Sequence, residues 1–541
     1  MSTGAATEVA DVLVIGAGPS GGMVTQTLTQ AGLNVVCLEQ GDWVTASDFP
    51  TNRPEWELLI QKRWAHDPNE RAIPADYPTE VSDTDIAPVM YNAVGGSSLF
   101  FGAQWPRMLP SDLRVRSTDG VAEDWPLTYA ELSAHYDRAD QQVGVSGLGG
   151  NPAYPPGLDF ALPPHPLGRL GMTAARGLNA LGWHWWPGTM AIPTARFKEL
   201  AQCERWGTCE WGCPRGAKAS ADLAFWVHAL RSGATLVTGA RVREVTVNAR
   251  GRVTGATWVD RDGRDHLQQA RAVVLCANGI GTARILLNST SSLFPDGLAN
   301  SSGLVGKNLM LHPNAAVLGF YPDPQDSGRG PAGEAVVSLE FYETRPEHDF
   351  VRGMKFSALP FPGPLSQLEF QRTRPFRAVW GPAVHDLVAR HDRAVLWSGQ
   401  VDDLPEETNR VTIDPDLTDS DGIPAPRIHY RVSQNSRRQL TFLADRMQEA
   451  HEASGAVSTV RLALAPDQPG HLLGTARMGS DRRRSVVDPH GRSHDVPNLF
   501  VADGSLFVTG GAVNPTCTIT ALALRVGEHI VTTAADQECD R

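Results

Sequence analysis

The sequence predicts an α/β protein in which a Rossmann-like nucleotide-binding domain is interleaved with a second domain built on an antiparallel sheet. Three features carry that reading. A dinucleotide fingerprint opens the chain at Asp11–Gly41, a second strand, glycine turn and helix recur at Arg271–Asn288, and short β-type runs with Pro and Asp-Gly turns fill Leu318–Tyr430. The fingerprint reads DVLVIGAGPSGGMVTQTLTQAGLNVVCLEQG: an apolar strand, then Gly16-Ala17-Gly18-Pro19-Ser20-Gly21, a helical stretch, and a second apolar strand closing on Glu39. Glycines let the chain turn tightly and bring backbone N–H groups to a pyrophosphate at the helix N-terminus, while the acidic residue accepts hydrogen bonds from a ribose.

The remaining elements follow in order. Asp48–Pro88 is polar and Pro-rich with little periodicity, which predicts a surface excursion or lid. In YNAVGGSSLFFGAQWPR, Tyr91–Arg107, the run Gly95, Gly96, Ser97, Ser98 offers small side chains and hydroxyls where a flat or charged ligand can lie against the backbone. Asp124–Val143 has apolar positions at helical spacing, and Thr235–Asp260 reads as a hairpin or meander. At Arg271–Asn288 a strand returns parallel to the first sheet, and Gln434–Ser454 reads as one long helix. Near the end, HLLGTARMG (His471–Gly479) and PNLFVADGSLFVTGG precede AVNPTCTITALALRVGEH, where Asn514 stands before Pro515, a residue suited to the first helical position. That helix start favours an anionic ligand group.

Composition narrows the class. A chain of 541 residues, 41% hydrophobic, buries a large core, and a formal charge of −12 with dispersed Lys and Arg excludes nucleic acid and anionic membrane as expected partners. The basic triplet Arg482–Arg484 reads as a solvated loop. No signal-like start and no bilayer-length apolar run is present, so a cytoplasmic location is expected. Seven cysteines do not make a disulfide scaffold. Cys37 and Cys276 lie in apolar strand patterns and read as buried small hydrophobes, whereas Cys203, Cys209 and Cys213 cluster in CERWGTCEWGC.

Six ordered motifs, the fingerprint, GGSS, DWPLTYAELSAHY, VVLCANGIGTARILL, GLVGKNLMLHP and HLLGTARMG with ADGSLF and NPTCTITALALR, make the chain resemble the glucose-methanol-choline oxidoreductases from end to end. Within that family it resembles the branch of bacterial pyranose oxidases and C-glycoside 3-oxidases. The resemblance implies FAD, with Gly16, Gly18, Ser20 and Gly21 at the pyrophosphate, Glu39 at the adenosine ribose and Val242 at the adenine. It puts Gly95, Gly96, Ser97 and Ser98 on the flavin side, Asp503 near the ribityl or pyrophosphate, and Thr516 among the cofactor contacts. It also implies an FAD-binding domain from 1–135, 215–318 and 465–541, with 136–214 and 319–464 forming the substrate domain and cap.

Family positions facing the flavin map to His471 and Asn514. Hydride leaves an alcohol carbon readily only if a base takes the hydroxyl proton, and a neutral imidazole suits that task while an amide donates to the same oxygen. Relatives with covalent flavin carry a histidine where this chain has Phe100, so non-covalent FAD is expected. The expected reaction is oxidation of a secondary hydroxyl of a sugar or glycoside, at pyranose C2 or C3, to a ketone, with oxygen or a quinone-like compound as acceptor. Two alternatives stay open: a dehydrogenase subunit relaying electrons through an iron–sulfur cluster on Cys203, Cys209 and Cys213, against a plain structural loop there; and a lyase that keeps FAD without net redox chemistry. Trp183, Trp185, Trp186, Trp206 and Trp211 crowd the same region, as sugar-stacking faces or as packing.

Overall fold

Strand Ala10–Ile15 is apolar at every position except Asp11, which fits its place between two parallel neighbours, Val35–Glu39 and Asp265–Leu275. The computed structural model describes residues 9–539 except 61, 72, 362, 366–380 and 466–469; the portions of the sequence readings that fall on those residues lie outside the described ones. Thr235–Thr238 adds parallel to Val35–Glu39, and Leu499–Val501 adds parallel to the end of Asp265–Leu275. The first half of that long strand pairs instead with Val253–Val259, itself antiparallel to Arg241–Val247. The hairpin reading of Thr235–Asp260 is therefore corrected: its first run is a parallel edge strand, and only the later runs form the meander. The fingerprint helix Pro19–Gln30 packs on the C-terminal helix Thr516–Cys539, where a Cβ on Gly527 would stand 3.1 Å from Thr27.

The second sheet is antiparallel throughout, in the order Ser458–Leu462, Asn314–Phe320, Ala394–Val401, Met354–Leu359, Val336–Ser338, Trp186–Pro187. Helix Gln434–Ala453 packs against it, started by Ser433, whose Oγ accepts the Ser436 N–H, and pinned by His451 Nε2, 3.0 Å from the Val317 carbonyl. Arg410–Thr418 and Pro424–Tyr430 leave this sheet for a separate three-stranded one with Glu80–Thr84. That pairing revises the lid reading of Asp48–Pro88. The segment is anchored by a buried Arg71–Asp76 ion pair at 2.7 Å and by buried Trp64, Tyr77 and Ile86. Helix Tyr129–Val143 begins five residues later than its periodicity suggests, at a Thr128–Glu131 capping box. Arg482–Arg484 are exposed, each paired with one carboxylate, and no described helix is long and apolar enough to cross a membrane.

Candidate active site

The two glycine turns lie against each other. The Gly95 N–H donates to the Ala17 carbonyl at 2.9 Å, and a Cβ on Gly96 would stand 3.0 Å from Gly18 Cα. Gly16 has φ +101°, and a side chain there would meet the Cys276 carbonyl oxygen at 2.5 Å; at Gly21 it would meet the Gly16 carbonyl oxygen at 1.9 Å. Gly18 differs. It precedes helix Pro19–Gln30, no side chain caps that helix, and a Cβ on Gly18 would meet nothing within 4 Å. Open space beside uncapped first-turn N–H groups fits the pyrophosphate of FAD. Buried Glu39 closes this wall: the Ala17 and Gly41 amides each donate to one of its oxygens at 2.8 Å, and burial raises its pKa to about 7 against those bonds. Each oxygen keeps a lone pair for a ribose hydroxyl.

The Ala240 N–H donates to the Glu39 carbonyl at 2.9 Å, which brings Val242, two residues on, to the same edge. The serine hydroxyls hold their own turn: Ser98 Oγ donates to the Gly95 carbonyl at 2.5 Å and accepts from Ala221, and Ser97 Oγ accepts the Tyr91 N–H at 3.1 Å. Ser20 is buried in the first turn of the fingerprint helix. Asp503 is buried and accepts from Thr282 Oγ1 at 2.6 Å and from the Ser505 N–H at 2.9 Å; the next carbonyl, Gly504, accepts the Gly474 N–H and so ties this turn to the His471 segment. Thr516 opens the C-terminal helix one residue later than expected, with the Pro515 carbonyl taking the first helical bond from Ile519. Phe100 is buried among Phe49, Trp64 and Tyr91, its ring 4.4 Å from that of Tyr91.

His471 and Asn514, 43 positions apart, meet: Asn514 Nδ2 lies 3.4 Å from His471 Nε2. Behind them stand residues that the sequence did not single out. His471 Nδ1 is 3.0 Å from Nδ1 of His312, which is buried with φ +53°, its Nε2 against the Gly510–Gly511 turn. Lys355 Nζ donates to Asn514 Oδ1 at 2.8 Å, to Gln104 Oε1 at 2.5 Å and to Glu334 Oε2 at 2.9 Å; the Lys355 and Glu334 side chains are 3% and 1% exposed. His471, Asn514 and Gln104 keep partial exposure, so this cluster has one open side. Burial pulls the His471 pKa well below its ordinary value, and His312 and Lys355 push the same way; His312 itself is lowered to about 4 by burial. His471 is thus neutral near pH 7. A lysine inside the apolar run GMKFSAL was the readable sign of a buried charge.

Cys203, Cys209 and Cys213 line one cavity of about 30 Å³, and their sulfurs accept N–H bonds from Arg205, Ala332 and Ala217, respectively. As they stand they do not fit a cluster: among the described residues, no group of three or more His, Cys, Asp or Glu side chains converges closely enough to hold a metal ion. The tryptophans share no single face. Trp183 packs edge-on to Phe341, Trp211 stacks on His66, and Trp206 is 46% exposed.

Comparison with known proteins adds the family. The N- and C-terminal GMC oxidoreductase profiles match residues 21–314 and 405–523. The chain is 42% identical to 2-methyl-1,2-propanediol dehydrogenase of Mycolicibacterium austroafricanum, over 96% of this chain and 95% of that one. It is 28% identical to the fructose dehydrogenase large subunit of Gluconobacter japonicus, over 96% and 98%. In fold it is similar to pyridoxine 4-oxidase from Mesorbium loti, with TM-score 0.63 and 17% identity over 96% of this chain and 99% of that one. With two profiles matched, a relative similar over nearly its whole length, and a glycine crease shaped for a dinucleotide, the chain belongs to the GMC oxidoreductase family and is an FAD-dependent oxidoreductase of alcohol groups.

Proposed function

We propose that this enzyme oxidises a secondary hydroxyl of a sugar or glycoside, at pyranose C2 or C3, to the ketone, with His471 as base and Asn514 as the group that orients the hydroxyl. FAD, when bound, takes up the hydride from the alcohol carbon. The observation that carries the reading is the contact of a neutral His471 with Asn514. The Asn514 NH₂ group faces His471 Nε2, so that nitrogen is an acceptor, and the ring proton sits on Nδ1, donated to His312 Nδ1. Nε2 is thus unprotonated, and its lone pair can take the alcohol proton once a bound hydroxyl displaces the Asn514 N–H, which then donates to the oxygen that loses the proton. Non-covalent FAD rests on Phe100, which is packed in an aromatic cluster and has no nucleophile to offer.

Sugar as the substrate class is supported by the family branch that the sequence resembles and by a relative named for fructose. A second reading, a small vicinal diol, is favoured by the 42% identity to a propanediol dehydrogenase. Anaerobic mixing of the purified holoenzyme with D-glucose, a C-glucoside, an O-glucoside and 2-methyl-1,2-propanediol, with product analysis, separates them. Bleaching of the flavin by a sugar or glycoside, with a C2 or C3 ketone formed, is expected; bleaching by the diol alone would select the second reading. A flavin left oxidised across the panel would refute both substrate readings. Reoxidation by air or only by a benzoquinone assigns the acceptor.

A further inference from the structure

Lys355 lies on strand Met354–Leu359, where the two-residue period puts it on the same face as Ser357. Glu334 takes a bond from both, with the Ser357 hydroxyl donating to Oε2 at 2.8 Å. An ammonium has three N–H donors and no acceptor. Lys355 has spent all three, on Glu334, Gln104 and Asn514, and at 2% exposure it has none left for a substrate. A group with nothing to accept forces each amide to turn its oxygen inward. The Gln104 NH₂ then donates to the Gly333 carbonyl at 2.6 Å, and the Asn514 NH₂ faces His471. Turned over, Asn514 would set its oxygen beside His471 Nε2 and the substrate hydroxyl, where it would compete as an acceptor for the proton the base must take.

We infer that the buried Lys355–Glu334 pair is a positioning device for the reaction, locking the Asn514 amide so that its N–H groups, not its oxygen, meet the base and the substrate hydroxyl. Glu334 holds the lysine charged in a site that burial would otherwise neutralise. The inference rests on the proposed roles of His471 and Asn514, and it assigns Lys355 no contact with substrate.

A double-mutant cycle tests it. Flavin reduction is followed anaerobically with whichever of D-glucose, methyl glucoside or 2-methyl-1,2-propanediol reduces the native enzyme fastest. The chains compared are native, Lys355→Met, Asn514→Ala and the pair combined. Loss of the lock is expected to slow reduction by roughly tenfold to a hundredfold in the native background, the cost of a misplaced contact, and by less than about twofold in the Asn514→Ala background. Because Lys355→Met leaves Glu334 buried without its cation, Glu334→Gln/Lys355→Met is measured alongside and is expected to behave the same way. The second readout is the acidic limb of the rate. His471 faces His312, Asn514 and Lys355, with Glu334 behind the lysine, so removal of the ammonium should move that limb to higher pH with the melting temperature of the double variant unchanged. Equal penalties in both backgrounds, or an unmoved limb, would overturn the positioning role alone. An Asn514→Ala enzyme with native rates would overturn both this inference and the site reading beneath it.

Discussion

Replacing His471 with Ala removes the neutral imidazole that Asn514 addresses, and flavin reduction should slow by about a hundred to ten thousandfold while FAD stays bound. Stopped-flow reduction at saturating substrate checks this; a near-native rate would mean another group takes the proton. The pH dependence follows from the direction of the His471 shift. The competent form is the neutral ring, which persists as pH falls until the depressed pKa is crossed. The rate should therefore stay level on descending past about 6.5, the ordinary histidine value, and fall only at lower pH. Asn514→Asp sets a carboxylate beside Nε2, and the ammonium of Lys355 is already shared with Glu334. That charge favours the imidazolium, so the limb should move to higher pH and the Asp enzyme should be slower near neutrality than the Ala enzyme. Identical limbs in the two variants would detach this side chain from the base. At Phe100, acid precipitation should release the FAD to the supernatant, and flavin remaining in the pellet would contradict a non-covalent site.

Among the elements, the fingerprint turn separates what glycine does for the fold from what it does for the ligand. Gly21 cannot gain a methyl without striking the Gly16 carbonyl, so Gly21→Ala should lower stability by about 1–3 kcal/mol. Gly18 has φ −72° and empty space in front of it, so Gly18→Ala should leave the melting temperature of the apoprotein unchanged while weakening FAD binding at least about tenfold. Calorimetry of the apo variants and fluorescence titration with FAD measure the two effects; a destabilised Gly18→Ala apoprotein would place the constraint in the fold instead. This turn was legible because strand, glycines, helix and Glu39 are all local. The second glycine turn, the long helix before Ser454 and the helix after Asn514 were legible for the same reason. The assignment of Thr235–Thr238 to the parallel sheet was not, since a four-residue run does not reveal which way its partner runs. Nor was the pairing of Glu80–Thr84 with Pro424–Tyr430, which joins segments more than 300 positions apart with no motif in either.

The molecule as a whole explains why most of the candidate catalytic cluster escaped the sequence. His471 and Asn514 stand in recognisable surroundings, but His312, Lys355 and Glu334 come from the second sheet and its connections and Gln104 from the loop after the Gly95–Ser98 turn, and only the register of that sheet brings Lys355 to Asn514 across 159 positions. Buried polar residues of that kind leave a sign, a charge within an apolar strand, but the sign names no partner. The same interleaving governs how the protein is made. Leu499–Val501 pairs with Val273–Leu275, and the helix from Thr516 packs on the fingerprint helix, so the sheet that cradles the dinucleotide lacks a strand and a covering helix until the end of the chain is synthesised. At about 5–20 residues per second, roughly half a minute or longer separates translation of Ile15 from that of Leu499. Through that interval the nucleotide-binding sheet lacks its last strand and the fingerprint helix its C-terminal partner.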